Sequence, residues 1–92
     1  MTIKKKPMPS LMLYHTSACH LCEEAEALTT ACLSARGMPA NCLHLEDITS
    51  DEGLLERYGL IIPVLRLMDT GQELLWPFGL AEIEHFLNTC DT

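Results

Sequence analysis

Two cysteines separated by two residues lie where a strand-like run gives way to a helical pattern. Leu11 to Tyr14 is a short apolar run that predicts a strand, and Cys19-His20-Leu21-Cys22 opens the amphipathic segment that follows it. On the first turn of a helix, cysteines with this spacing can close a disulfide with little backbone movement. The positive end of the helix dipole would also favour the thiolate form of Cys19. The motif therefore predicts a dithiol–disulfide redox site.

Length and charge exclude several classes of protein. The 92 residues allow one domain, and we expect a disordered leader over residues 1–10 and a single domain over residues 11–90. Lys4-Lys5-Lys6 is not followed by the apolar stretch of a signal peptide, and no segment is apolar enough to cross a membrane, so we expect a cytoplasmic protein. The net charge of −7 argues against a nucleic-acid partner, because phosphates require a cationic surface.

The number of cysteines favours chemistry over a structural disulfide framework. Five cysteines cannot all pair within one chain. In a reducing compartment, closely spaced thiols are more often catalytic or metal-binding than structural. Cys32, Cys42 and Cys90 are isolated among apolar residues, and each is expected to be a small buried side chain.

The first half of the chain continues as a helix and a strand. Thr16 or Ser17 is expected to cap the helix, and Gly37 with Pro39 to end it. Asn41 to Glu46 alternates in polarity and predicts a half-buried strand, with Leu43 and Leu45 on one face. The residues expected on the inward face of the helix are Leu21, Ala25, Leu28, Cys32 and Ala35.

The second half predicts a short helix, two strands and a last helix. Thr49 and Glu52 have capping-box spacing for a helix that Gly59 ends. Pro63 begins a third strand, and Asp69-Thr70-Gly71 turns into a fourth strand, Glu73 to Trp76. The apolar face of the last helix consists of Leu80, Ile83, Phe86, Leu87 and Cys90.

The resulting order is β-α-β-α-β-β-α, which predicts an α/β fold with a four-stranded mixed sheet flanked by three helices. This order, with the Cys-x-x-Cys at the first helix and Ile62-Pro63-Val64 before the third strand, is similar to the thioredoxin fold and resembles its minimal glutaredoxin type. Leu13 to Ala25 resembles, more narrowly, small bacterial glutaredoxin-like proteins, and the likeness covers nearly all of residues 11–87. The resemblance implies a cis Pro63 facing the dithiol. It also implies that the backbone N–H and C=O of Ile62 are free to pair with an extended substrate chain.

Two departures from this family concern glutathione. Tyr14 to Ala18 supplies no basic residue beyond His15, whereas glutathione-using glutaredoxins tend to carry one there. Phe78-Gly79-Leu80-Ala81 has a single glycine where those relatives have a Gly-Gly pair that holds the γ-glutamyl end. The departures argue against glutathione as the reductant, and we expect no bound cofactor.

The redox interpretation gives each cysteine a role. Cys19 is nearer the helix start and is expected to be the more exposed nucleophile, while Cys22 resolves the mixed disulfide. His20 could stabilise the thiolate when protonated, and the neighbouring Glu23 and Glu24 would oppose this.

The expected partners follow from these roles. They are a disulfide-containing protein or a small thiol substrate, together with an external reductant, and the chain is expected to act as a monomer. The predicted substrate-binding residues are Ile62, Pro63, His20 and Tyr14.

Two interpretations of other classes remain open. In the first, Cys19 and Cys22, with His15 and His20, bind zinc, copper or a shared iron–sulfur cluster, although the sequence has no second Cys-x-x-Cys. In the second, the chain is a thioredoxin-fold module that binds a partner without turnover. Tyr14 and Trp76-Pro77-Phe78 could border the substrate groove of an oxidoreductase, but such aromatic residues more often belong to the core.

Overall fold

A single mixed sheet organises the part of the chain that the computed structural model describes, residues 10–88. Its strands lie in the order β2-β1-β3-β4. β1 pairs with β2 in parallel, and the other two pairs are antiparallel. The elements are β1 (Leu11–His15), α1 (His20–Ala35), β2 (Leu43–Asp47), α2 (Glu52–Tyr58), β3 (Val64–Leu67), β4 (Glu73–Leu75) and α3 (Leu80–Asn88), with short 3-10 turns at Ala40–Cys42 and Ile48–Ser50. This confirms the predicted order of elements and the mixed sheet.

Alternation along the strands sends side chains to two separate cores. The larger core lies between one face of the sheet and the helices α1 and α3, with Leu11, Leu13, Leu65 and Leu67 as its strand residues. The opposite face is covered by α2 in a smaller core of Tyr14, Ile48, Tyr58 and Val64. No helix within residues 10–88 has the length and apolar character needed to cross a bilayer.

The buried face of α1 differs from the predicted one. Ala25 and Cys32 are buried as expected, but Leu21 is 44% exposed and Ala35 is also exposed. The face that packs on the sheet instead consists of Cys22, Ala25, Thr29, Cys32 and Leu33. The hydroxyl of Thr29 donates to the carbonyl oxygen of Ala25 at 2.8 Å, so this polar group is satisfied inside the core.

The segment from β2 to α2 corrects two further expectations. The predicted capping box is wrong, because Thr49 belongs to a 3-10 turn in which its amide and hydroxyl donate to Asp47 Oδ1 at 2.9 and 2.7 Å. The N-cap of α2 is Asp51, whose Oδ1 accepts from the amide of Gly53 at 2.7 Å. β2 begins at Leu43 rather than Asn41, and its Leu45 is 44% exposed on an edge strand.

Several local expectations are confirmed. Gly37, with φ of +73°, follows the end of α1, and Gly71, with φ of +80°, lies in the turn between β3 and β4. These are conformations that glycine adopts readily. Cys32 and Cys42 are buried. Ile83, Phe86 and Leu87 form the buried face of α3, whereas Leu80 is 50% exposed. Cys90 and all but the last residue of the predicted leader lie outside the described residues.

Tyr58 connects α2 to both the central and the edge strands. Its ring is 1% exposed and stacks on Tyr14 with centroids 4.2 Å apart. Its hydroxyl donates to Glu73 Oε2 at 2.6 Å, and Arg66 Nη1 lies 3.5 Å from the same hydroxyl. Burial, reinforced by the bond to Glu73, raises the pKa of Tyr58 to about 12. The short helix α2 is thereby fixed to the sheet by an aromatic stack and by a hydrogen bond to a carboxylate.

We predict that Tyr58→Phe lowers the free energy of unfolding at pH 8 by about 1 kcal/mol, because Glu73 loses a hydrogen-bond donor. In the wild type, stability should fall as pH rises from 10 towards 12, because the unfolded chain ionises its tyrosine before the folded protein does. Tyr58→Phe has no hydroxyl to ionise at this position, so its free energy of unfolding should fall less over the same pH range. Urea unfolding of both proteins between pH 8 and pH 11.5 measures the difference, and identical pH slopes would contradict the assignment.

Candidate dithiol–disulfide site

Strand register brings four loops to one end of the sheet. His15 at the end of β1 is the partner of Asp47 at the end of β2. Val64 at the start of β3 pairs with Tyr14 on one side and with Leu75, the end of β4, on the other. The loops that enter α1, α2, β3 and α3 therefore meet at this end, called the dithiol end below.

The two cysteines of the motif form a disulfide at the start of α1. Their Cα atoms are 5.2 Å apart. Cys22 is 3% exposed and belongs to the buried face of the helix, whereas Cys19 is partly exposed. Cys19 is therefore the more exposed residue of the pair and Cys22 is shielded, which is the order of exposure expected from the sequence.

Cys19 is also the N-cap of α1, a role that was predicted for Thr16 or Ser17. Its backbone is extended, and its Sγ accepts a hydrogen bond from the amide of Cys22 at 3.0 Å. The first amides of a helix have no intrahelical acceptor, so a cap atom must satisfy them. Once the disulfide is reduced, an amide donor and the positive end of a 16-residue helix would both favour a thiolate at this sulfur.

His20 points along the helix towards two carboxylates. Its side chain is 82% exposed, with Nε2 3.4 Å from Glu24 Oε2 and Nδ1 3.9 Å from Glu23 Oε1. Exposed pairs of this kind contribute little to stability. A role for His20 in tuning the thiolate or in contacting a substrate stays a prediction.

The loop before β3 contains the predicted peptide-binding residues. The Ile62–Pro63 bond is cis, Pro63 is buried and Ile62 is partly exposed. The family resemblance implied that the amide of Ile62 is free, and this is wrong. The amide donates to the carbonyl oxygen of Tyr58 at 3.1 Å. This oxygen lies at the end of α2, where carbonyl groups lack helical partners. Only the carbonyl group of Ile62 is left for the predicted role.

Tyr14, also predicted to contact substrate, has a ring that is 7% exposed and stacked on Tyr58. The ring lies beneath the surface of the dithiol end and supports the strand ends there. Contact of Tyr14, Ile62 and Pro63 with a substrate stays a prediction.

The loop before α3 contains two features that the sequence analysis missed. The Trp76–Pro77 bond is cis, and the partly buried Trp76 contacts the buried Phe78 edge-on at 5.0 Å. The amide of Gly79 donates to Glu82 Oε1 at 2.8 Å, and this backbone bond lowers the pKa of Glu82. The three-residue spacing between Gly79 and Glu82 is that of a capping box and could have revealed the second feature. The chain's own carboxylate thus occupies an amide at the start of α3.

The candidate metal ligands do not form a site in the described structure. Within residues 10–88, no three side chains of His, Cys, Asp or Glu are grouped so that they could hold a metal ion.

A four-stranded mixed sheet with a Cys-x-x-Cys disulfide at the start of its first helix defines a thioredoxin-like protein of the glutaredoxin type. The chain belongs to the glutaredoxin-like domain family DUF836, whose family model matches residues 10–88. It is similar to the Northeast Structural Genomics target protein XcR50 from X. campestris, with 34% identity. The X-ray structure of XcR50 has a TM-score of 0.69 and the match covers 87% of this chain and 97% of that one.

Two solution structures agree with this assignment. That of XcR50 has a TM-score of 0.67, again with 34% identity, and covers 87% of this chain and 94% of that one. That of Ne2328 from Nitrosomonas europaea has a TM-score of 0.70 and 26% identity, and covers 94% of this chain and 96% of that one. No protein with a curated description matches the chain.

The capping role of Cys19 can be tested apart from its chemistry. Under reducing conditions, Cys19→Ala should be less stable than Cys19→Ser by about 1 kcal/mol, because serine can accept the Cys22 amide and alanine cannot. Urea unfolding of the two variants in the presence of a reductant measures this difference. Equal stability would show that the sulfur does not cap the helix.

Proposed function

We propose that this protein is a thiol–disulfide oxidoreductase in which Cys19 is the nucleophile and Cys22 the resolving cysteine. The observation that carries the proposal is the Cys19–Cys22 disulfide at the start of α1, with one sulfur partly exposed and the other 3% exposed. The capping amide supports the same assignment, because it directs a donor at Cys19 Sγ.

The reaction begins with the reduced protein. The Cys19 thiolate attacks one sulfur of a substrate disulfide, the substrate S–S bond breaks, and the leaving thiolate takes up a proton. The Cys22 thiol then loses its proton and attacks Cys19 Sγ. This step forms the Cys19–Cys22 bond and releases the second substrate thiol. Two electrons have passed from the protein to the substrate, and an external reductant must return them before the next turnover.

The balance of charge at Cys19 suggests a reductant rather than a strong oxidant. The helix N-terminus and the Cys22 amide favour the thiolate, whereas Glu23 and Glu24 disfavour it. These influences oppose each other, so the thiolate of Cys19 is proposed to be favoured only moderately. A disulfide is strongly oxidising where its reduced form is strongly stabilised, and the carboxylates of Glu23 and Glu24 oppose such stabilisation at Cys19.

The proposal also covers the substrate contacts, the reductant, the oligomeric state and the cellular location. The carbonyl group of Ile62, beside Pro63, is proposed to pair with the chain of a bound substrate. The substrate is a disulfide in a protein or small molecule, and an external reductant restores the dithiol; the departures at Tyr14 to Ala18 and at Gly79 argue against glutathione in that role. The protein is proposed to act as a monomer in the cytoplasm, without a bound cofactor.

Turnover of insulin disulfides by dithiothreitol tests the function. The wild type should accelerate the reaction, and Cys19→Ser should reduce the rate to that without protein. Cys22→Ser should accumulate a mixed disulfide that mass spectrometry detects, because the resolving thiol is missing. Cys32→Ala is the matched control: it removes a buried thiol outside the disulfide, and its rate should equal that of the wild type.

The outcomes separate this function from the alternatives. Full turnover by Cys19→Ser would overturn the assigned roles. Stoichiometric zinc, copper or iron in protein purified under reducing conditions, without disulfide turnover, would support metal binding instead. The absence of both metal and turnover would favour a binding module.

A further inference from the structure

The segments of the described residues that form the dithiol end are rich in acidic side chains. The segments that form this end are residues 16–24, 46–53, 59–63 and 76–82, and none of them contains Lys or Arg. Their acidic residues are Glu23, Glu24, Glu46, Asp47, Asp51, Glu52 and Glu82. A partner that approaches Cys19 therefore enters a region of negative electrostatic potential.

Two of these carboxylates are nearest to the reactive sulfur along the chain. Glu23 lies one helical turn after Cys19, and its amide donates to the carbonyl oxygen of Cys19 at 3.2 Å. The side chains of Glu23 and Glu24 are 72% and 50% exposed, with the exposed His20 near both. They can therefore act on a molecule in solution rather than only on the protein.

The arginines of the described residues do not balance these carboxylates. Arg36, just after the far end of α1, forms an ion pair with Glu84 at 2.7 Å. Arg66 is engaged with the hydroxyl of Tyr58 and with Glu73. Arg57 lies over the ring of Tyr58 at 5.5 Å and keeps its charge beside the loop before Pro63. One exposed cation against seven acidic residues leaves the dithiol end net negative.

Exposed apolar side chains accompany the charge. Leu60 and Ile61, in the loop before Pro63, are 101% and 41% exposed, and Leu80 at the start of α3 is 50% exposed. A polypeptide segment can use such groups together with charge, whereas a small ion cannot.

We propose that the dithiol acts preferentially on disulfides carried by cationic polypeptide segments, with Glu23 and Glu24 as the residues that determine this preference. The inference rests on the proposed function. The binding site is the region around the disulfide, and the carboxylates bias which partners reach it. Complementary charge accelerates encounter and like charge slows it, and salt screens both effects. The exchange step is unchanged: the Cys19 thiolate displaces one thiol of the partner, and Cys22 displaces the second.

The test uses two peptides of the same length, each with one intramolecular disulfide flanked either by lysines or by glutamates at identical positions. Reduced protein, freed of reductant, is mixed with each peptide in a single turnover that is quenched with acid. Each rate constant is divided by that of the same peptide with 2-mercaptoethanol, an uncharged thiol. This division removes the intrinsic reactivity of the peptide disulfide.

At an ionic strength of about 20 mM, the lysine peptide should react about tenfold faster than the glutamate peptide, and at about 500 mM the ratio should fall below about twofold. Glu23→Gln and Glu24→Gln should each lower the low-salt ratio, and together they should lower it further. Asp69→Asn, in the turn between β3 and β4 at the opposite end of the sheet, should leave it unchanged. A change in the reactivity of Cys19 itself cancels, because it affects both peptides alike.

Three other outcomes would contradict the proposed function, the charge preference or the assigned residues, respectively. If neither peptide is reduced, the proposed function fails. If both are reduced at equal rates at low salt, the function stands and the charge preference is wrong. If the lysine peptide is preferred but the Gln variants keep the full ratio, Glu23 and Glu24 are not the determinants.

Discussion

The hydrogen bond from the Cys22 amide to Cys19 Sγ joins the start of α1 to the chemistry of the site. A helix must satisfy its first amides, and here a sulfur does so at 3.0 Å. As the cap, Cys19 keeps an extended backbone and stays on the loop from β1, where it is partly exposed. Cys22 lies one turn later and faces the sheet, so its burial follows from the helical period. The difference in exposure between the two sulfurs therefore results from where the helix begins.

Tyr58 holds the other half of the dithiol end through three separate groups. Its ring stacks on Tyr14, its hydroxyl donates to Glu73, and its carbonyl oxygen accepts the amide of Ile62. These contacts connect β1, β4 and the loop before Pro63 to a helix of only seven residues. A helix of that length is marginal by itself, so its place depends on tertiary contacts. The loop next to the disulfide is thus fixed from beneath by one buried side chain.

Most of the fold could be predicted from the sequence, because the apolar periods and the turn residues agree along residues 11–87. The errors fall where several residues could perform the same local task. Thr16, Ser17 and Cys19 precede the same helix, and Thr49 and Asp51 precede the next. The choice among them depends on where the preceding strand ends in space, which the local pattern does not contain. Cys22 is expected from the sequence to be the less exposed cysteine, but the predicted inward face of α1 omits it, so its contribution to that buried face was missed.

The candidate site was predictable in its cysteines and less so in its surroundings. The spacing and position of Cys19 and Cys22 indicate a disulfide directly. The use of the Ile62 amide by Tyr58 depends on the path of a loop, which neither residue reveals by itself. The role of Glu82 follows from a three-residue spacing that begins with glycine rather than serine or threonine, and such a cap is harder to recognise.

Reactivity and selection at this site operate over different distances. The capping amide acts on Cys19 through a direct hydrogen bond at 3.0 Å, and contact interactions of this kind are little affected by salt. In the proposed selection, the exposed carboxylates would act on approaching molecules over a range that is limited by the Debye length of about 8 Å at physiological ionic strength. In the proposed function, the first effect would determine how readily the sulfur reacts once a disulfide is beside it. The second would determine which disulfides come that close. Because Glu23 and Glu24 also oppose the Cys19 thiolate, a substitution there alters both properties, and only the comparison of two substrates of opposite charge separates them.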